Sequence, residues 1–247
     1  MKILSAHQPQ FIPWLGFFSK IYTSNDYIIL DDLKYSKSSF QTRNQIRVNS
    51  EKKIDWLKIP VIKETTKKEF NLVEMDMKKN WKAKHLKSLS YAYSRSDYFD
   101  EIFKDIESIY NEHHSSNLLS FNLKFIFYAI KIFNIKTNIL LSSEIKGHGF
   151  VSKNKKAKLL CDFSKYLNCD YFLFGSNGKK YFDEDASSYF KKKNILPIYQ
   201  IYSHPKYIQK SGEFYSNCSF LDLLFNYGKK KCLDYFNKSQ FKILDIN

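Results

Sequence analysis

Two short apolar runs flank a helix-like segment at the start of the chain, and this arrangement restricts the fold more than any other feature. Lys2-Ile3-Leu4-Ser5-Ala6 reads as a buried strand running out into His7-Gln8-Pro9. Pro9 and Pro13 forbid an early helix, and the run from Trp14 to Tyr22 then takes up helical spacing, with Pro13 near its N-terminus. Ser24-Asn25-Asp26 stops that helix. Tyr27-Ile28-Ile29-Leu30 is a second buried strand, closing on Asp31-Asp32. Two apolar strands joined through a helix form a right-handed parallel crossover in nearly every known case.

The pattern recurs along the chain. Trp56 to Val61 reads as a strand, Thr137 to Leu141 as another, and Asp170 to Gly175 as a buried strand with a glycine at its end. Helical spacing marks Ser152 to Leu167 and Phe182 to Lys193, followed by a last strand at Ile198 to Tyr202 and a helix starting at Ser219. Between Asn80 and Ile132 the apolar positions suit three helices, a cap or helical half. The polar stretch from Lys34 to Asn49 shows little order of either kind. The expectation is an α/β fold with a mainly parallel sheet flanked by helices, as a single domain over 1–247 with a helical insertion or subdomain near 80–133.

Composition agrees with a packed globular chain. Apolar residues make up 43% of the 247, with 22 Phe and 18 Tyr, so a large core can form. Disordered and collagen-like classes are excluded, since Gly is 7 and Pro is 5. No stretch approaches the roughly 18 apolar residues of a membrane span, and the N-terminus turns polar too soon for a signal peptide. A cytoplasmic protein is expected. Cys161, Cys169, Cys218 and Cys232 lack metal-ligand spacing and read as free thiols, so no metal ligand is assigned.

Forty Lys and Arg against 25 Asp and Glu give a net charge of +15. Nucleic acid, a phosphorylated metabolite or an anionic membrane would suit such a balance. Nearly all the basic residues are Lys, and Asn, Ile, Tyr and Phe are abundant too, as in proteins of AT-rich genomes. The only arginines are Arg43, Arg47 and Arg95. Readers of base sequence depend on Arg for bidentate contacts, so a nucleic-acid partner is not expected.

Three clusters carry possible chemistry. The first is His7 to Phe18, where a histidine at a strand's carboxyl end precedes a loop and a helix N-terminus suited to an anion. The second is Asp31-Asp32 with Tyr35, Arg43, Asn44 and Arg47, which would face the same crevice. The third runs from Tyr202 to Gly228 and holds His204 after the last predicted strand. Within it Ser219 reads as an N-cap with Asp222 at the third helical position, and Asn226 and Gly228 as a helix stop. His113-His114, Gly147-His148-Gly149 and Gly175-Ser176-Asn177-Gly178 are weaker candidates. Walker, dinucleotide and G-x-S-x-G signatures are absent.

Four segments together resemble the WbqC-like family: H-Q-P-x-F-x-P-W-L-G-F-F-x-K-I from His7, Arg43-Asn44, H-P-x-Y-x-Q from His204, and S-x-L-D-L-L-F-N-x-G from Ser219. The likeness covers Lys2 to about Gly228. One departure is Phe40-Gln41-Thr42-Arg43-Asn44, where the family pattern reads Trp-x-Asn-Arg-Asn. The resemblance implies a place in bacterial O-antigen, capsule or related surface-glycan synthesis. It also implies an amide-forming acyl or aminoacyl (for instance glycyl) transferase acting on a nucleotide-linked amino sugar.

That chemistry needs a base for the amine proton and donors for the developing oxyanion. His7 is the first candidate base and His204 the second, with Asp32 orienting the histidine or gripping the amine. Gln8, Trp14, Tyr35, Arg43, Asn44, Tyr207 and Gln209 are the candidate substrate-binding residues. Among them Arg43 is matched to a diphosphate, and Trp14 and Tyr35 to a base or sugar. The expected partners are a nucleotide-linked amino sugar and an acyl or amino-acid donor. No prosthetic group is assigned; ATP or an activated acyl donor would drive the reaction. An ATP-dependent ligase with a nucleotidylyltransferase-like site, and a non-catalytic protein binding nucleotide sugar or glycan, are the alternatives.

Overall fold

The computed structural model describes residues 1–48, 53–176, 178, 182–210 and 212–237 in full, and 238 and 241–245 through their backbone. β1 (Ile3–His7), α1 (Leu15–Tyr22) and β2 (Asp26–Ile29) form the expected opening crossover, with β1 and β2 parallel and His7 opposite Ile29. α1 is buried almost all round, from Leu15 to Ile21. A helix lacking a polar face lies in the interior rather than on the surface. This helix packs between the sheet and a second layer of helices.

That second layer is the block foreseen between 80 and 132. It consists of α2 (Trp81–Tyr93), α3 (Phe99–Asn111) and α4 (Leu118–Ile132). α3 turns Ile102, Ile106 and Tyr110 inward at four-residue spacing, and Asn117 caps α4 by accepting from the Ser120 N–H at 2.8 Å. Its buried side chains belong to the same core as Phe17, Phe18, Tyr27 and Ile29. The block therefore packs continuously with α1 and one face of the sheet.

After this excursion the chain returns as β5 (Asn138–Leu141) beside β2, then passes through α5 (Ser142–Gly147) and α6 (Lys156–Tyr166) to β6 (Tyr171–Phe174) on the far side of β1. α7 (Glu184–Lys193) and β7 (Leu196–Tyr202) follow. β8 (Phe241–Asp245) pairs antiparallel with β7 and completes the order β5-β2-β1-β6-β7-β8, in which the first five strands are parallel. The architecture is α/β, as expected. Along the strands alternate residues point to opposite faces: Tyr27 and Ile29 to one core, Leu4, Ala6, Ile28, Phe172 and Phe174 to the other.

The connections run one way along the sheet from β1 to β2 and the other way from β6 to β7, and the right-handed rule turns that reversal into a change of face. This puts α1 on one face and α6 and α7 on the other. The loops leaving β1 and β6 therefore diverge.

Several local expectations change. The polar stretch from 34 to 49 contains β3 (Arg43–Arg47), an antiparallel partner for β4 (Ile54–Lys58), itself shifted from the predicted 56–61. β3 escapes the periodicity test because its buried positions include Asn44 and Arg47 alongside Ile46. The basic helix starts at Lys156 rather than Ser152, and short α5 precedes it. The terminal helix α8 (Phe220–Lys238) does break at Gly228, which takes φ 66° and ψ 173°, but helical structure resumes beyond it. A Cβ at Gly228 would lie 2.4 Å from the Tyr98 ring. Gly228→Ala is therefore expected to cost about 2 kcal/mol or more, from backbone strain plus overlap. Urea denaturation checks this, and an unchanged midpoint would remove the constraint.

Candidate functional site

The loop after β1 is strained and held from several sides. Ile12 adopts φ 36°, an uncommon conformation for a β-branched residue. Asn44, fully buried on β3, donates its Nδ2 hydrogens to the Phe11 and Ile12 carbonyls at 3.0 and 2.9 Å. The Phe11 N–H donates to the Phe40 carbonyl at 2.9 Å, and the Phe220 N–H to the Pro13 carbonyl at 2.8 Å. The first, second and fourth motifs of the sequence thus meet at this loop.

The third motif supports the fourth. Tyr93, Tyr207 and Gln209 donate to the Asp222 carboxylate at 2.9, 2.6 and 2.8 Å, inside the protein. Asp222 does stand at the third position of α8, but it serves this network rather than a capping box. Burial raises its pKa, and the three donors pull in the opposite direction. Tyr207 and Gln209, expected at the substrate, are in this network, and expected substrate ligand Asn44 is in the loop clamp. All three brace the site from behind.

Beyond the carboxyl ends of β1 and β6, where the winding reverses, lies a cavity of about 1880 Å³. Ligands of open α/β sheets bind at this kind of position. Of the residues singled out in the sequence, His7, Gln8, Trp14 and Asp32 line it. Lysines dominate its charge: Lys20 within, and Lys34, Lys67, Lys68, Lys155 and Lys156 exposed around it, against Asp32 and Glu69. Gly175, Ser176 and Gly178 after β6 add a small-residue wall; Asn177 of the same predicted loop lies outside the described residues. Gly16 leaves room for the Trp14 indole, since a Cβ there would lie 2.2 Å from the ring.

His7 has one ring nitrogen committed. Its Nδ1 lies 2.8 Å from the Gln8 carbonyl, which can only accept, so Nδ1 carries the proton and Nε2 keeps its lone pair. The ring meets Phe17 edge-on at 5.8 Å. His7 is solvent-exposed at the cavity, and the protein packed along one side of its ring, Phe17 included, displaces part of its water. That desolvation, with the Lys20 charge nearby, lowers its pKa to about 4. Lys20 is 7% exposed, its Nζ donates to the Ala6 carbonyl at 2.8 Å, and burial lowers its pKa to about 7.

Asp32 does not orient His7. Its carboxylate accepts from Ser142 Oγ at 2.6 Å and pairs with Lys146 at 2.5 Å, while Asp31 accepts from the Ser143 N–H and hydroxyl at the start of α5. The orienting partner of His7 is a backbone carbonyl that no residue pattern announces. Arg43 stacks its guanidinium 4.7 Å over the Trp56 ring, outside the cavity lining; Tyr35 lies near Thr42, also outside it. His204 donates from Nδ1 to the Pro205 carbonyl and packs against Tyr202, Tyr207 and Phe214. Of His7, Arg43 and His204, expected in one hollow, only His7 lines it.

Sequence reasoning passed over Lys20 and Gln10. Gln10 is buried, lines the cavity and has an Oε1 without a hydrogen-bond partner among the described residues. The legible signal for Lys20 was a lysine inside the apolar run Phe17-Phe18-Ser19-Lys20-Ile21. Two of the weaker candidates lie elsewhere: His113 is buried near Ser120, and Gly147-His148-Gly149 ends α5. The four cysteines are free and buried; burial raises the Cys161 thiol to about 12 and Cys169 to about 11, which makes them poor nucleophiles. No helix among the described residues is long and apolar enough to cross a membrane.

A model of the WbqC-like protein family matches residues 8–233. The chain is also 26% identical over 230 residues to a Mycobacterium tuberculosis protein named "Uncharacterized protein Rv1507c", covering 92% of this chain and 95% of that one. No solved structure matches.

The loop clamp carries a consequence for stability. Asn44→Ala leaves two buried carbonyls without their donor, and the fold is expected to lose about 2–4 kcal/mol. Chemical denaturation measures the loss; wild-type stability with impaired ligand binding would return Asn44 to the substrate.

Proposed function

Because the chain belongs to the WbqC-like family, matched over nearly its whole length, we propose that it is an amide-forming acyl or aminoacyl transferase. Its substrate in this reading is a nucleotide-linked amino sugar of bacterial surface-glycan synthesis. The observation that carries the reading is His7, which lines a lysine-rich cavity at the reversal of the sheet while its Nδ1 is committed to the Gln8 carbonyl, leaving Nε2 as the basic nitrogen. A cavity of about 1880 Å³ has room for a nucleotide sugar and an acyl donor together. The surrounding lysines favour a substrate with several negative charges.

The chemistry follows from the groups present. The sugar amine attacks the acyl carbonyl, a C–N bond forms, and the attacking nitrogen becomes acidic as it loses its lone pair. Nε2 of His7 takes that proton and passes it to the leaving group as the carbonyl carbon's bond to it breaks, leaving the amide. α1 begins without a side-chain cap, and Gly16 of its first turn lines the cavity, so the positive end of the helix favours the oxyanion. Gln10 Oε1 is an acceptor that a substrate N–H or O–H would satisfy.

The test is to incubate the protein with nucleotide-linked amino sugars and acyl or aminoacyl donors and look for amide product by mass spectrometry. Release of AMP or ADP with the product would assign the ligase alternative instead. His7→Ala is expected to lower turnover about a hundredfold or more; near-normal turnover would remove His7 as the base.

The pH profile tests the same role differently. A base held neutral by a lowered pKa works until the pH falls to that value, so kcat/KM is expected to stay level through pH 6 and drop near pH 4. An acid limb at the ordinary histidine value of 6.5 would contradict the desolvated imidazole.

A further inference from the structure

Lys20 occupies an unusual position for a lysine. It projects from the buried helix α1, beside His7, with a single hydrogen bond from its Nζ to the Ala6 carbonyl. No carboxylate among the described residues pairs with it. A buried ammonium needs an opposite charge or a full set of acceptors to offset its lost hydration. One carbonyl supplies neither, and the two remaining N–H donors have no partner among the described residues. The side chain lines the cavity, so a charge able to complete the pair can arrive only as a ligand.

The other lysines indicate what kind of charge. Lys34, Lys67, Lys68, Lys155 and Lys156 are exposed where Lys20 is buried. A polyanion drawn in by the outer lysines would meet the desolvated one last, where Coulomb attraction is least screened. We propose that Lys20 is the principal phosphate-binding residue of the cavity, receiving the diphosphate of a nucleotide-linked substrate on its ammonium next to His7. The assignment depends on the anionic substrate of the reading above and not on its amide chemistry. It also gives the binding step a role in catalysis: a diphosphate on Lys20 offsets the charge that disfavours a proton on His7, and so strengthens the base when substrate is present.

The experiment uses uridine diphosphate and inorganic pyrophosphate as probes, with binding to the full chain measured by calorimetry. Lys20→Met is expected to weaken uridine diphosphate binding about thirtyfold or more, the effect of removing one partner of a buried charge pair. Lys87→Met, exposed and outside the cavity lining, is expected to change it no more than about threefold. Pyrophosphate binding with the same dependence on Lys20 places the recognition on the phosphates; affinity for uridine diphosphate that is indifferent to Lys20 overturns the proposal. So does failure of the unaltered protein to bind either probe at millimolar concentration. A purely structural lysine would lower stability on substitution and leave the affinity of the folded variant unmoved.

Should Lys20→Met not fold, the unaltered protein labelled with ¹³C at lysine Cε supplies the second measurement. At pH 8 one buried lysine is expected to move from the amine to the ammonium position when uridine diphosphate is added, and no such movement overturns the assignment. Tight, Lys20-dependent binding without amide formation from any donor would sustain this inference while sinking the transferase reading.

Discussion

Pinning of the Phe11–Trp14 loop is the constraint on which the rest of the site depends. Two side-chain hydrogen bonds from Asn44, and backbone bonds that tie Phe11 to Phe40 and Pro13 to Phe220, keep Ile12 in a conformation it would not otherwise hold. The loop in turn sets where β1 ends and α1 begins. Both ionisable groups at the back of the cavity follow from that placement, since His7 ends the strand and Lys20 lies in the helix. Strain at one residue is retained because surrounding contacts over-determine it.

The cavity combines two electrostatic conditions, and the lysine's charge favours the neutral imidazole beside it. One is an imidazole whose lowered pKa leaves it neutral; the other is a buried lysine whose amino group has a single carbonyl partner among the described residues. Burying Lys20 costs folding free energy, and the large aromatic core around α1, α4 and α8 offsets that cost. Asp222 shows the opposite arrangement. Its buried carboxylate has three donors and belongs to the supporting frame. Buried charge with complete partners braces this protein; buried charge with incomplete partners faces the cavity.

Much of the fold was legible because its elements are short and apolar. Runs such as Tyr27 to Leu30 and Tyr171 to Phe174 have no other stable home than a sheet covered on both faces. β3 was hidden by its buried Asn44 and Arg47, whose reason for being there is a contact made across the molecule. Several residues that the motifs offered to a substrate have protein neighbours: Asp32 bonds to Ser142 and Lys146, Tyr207 and Gln209 to Asp222, and Arg43 stacks on the Trp56 ring. Residues named together in a motif can serve one another rather than a ligand.

The opening strand, helix and strand, with their right-handed connection, are settled by local chemistry: apolar runs, two prolines and backbone chirality. So is the position of His7 at a strand end. Which groups stand beside it was decided only when distant segments packed. The burial that depresses Lys20, and the separation of Arg43 and His204 from the cavity, arise from long-range closure, whereas the Gln8 carbonyl that selects the imidazole tautomer belongs to the next residue in the chain. Hydrogen-bond direction and desolvation depend on everything surrounding an atom, and a linear sequence specifies only the neighbours along the chain.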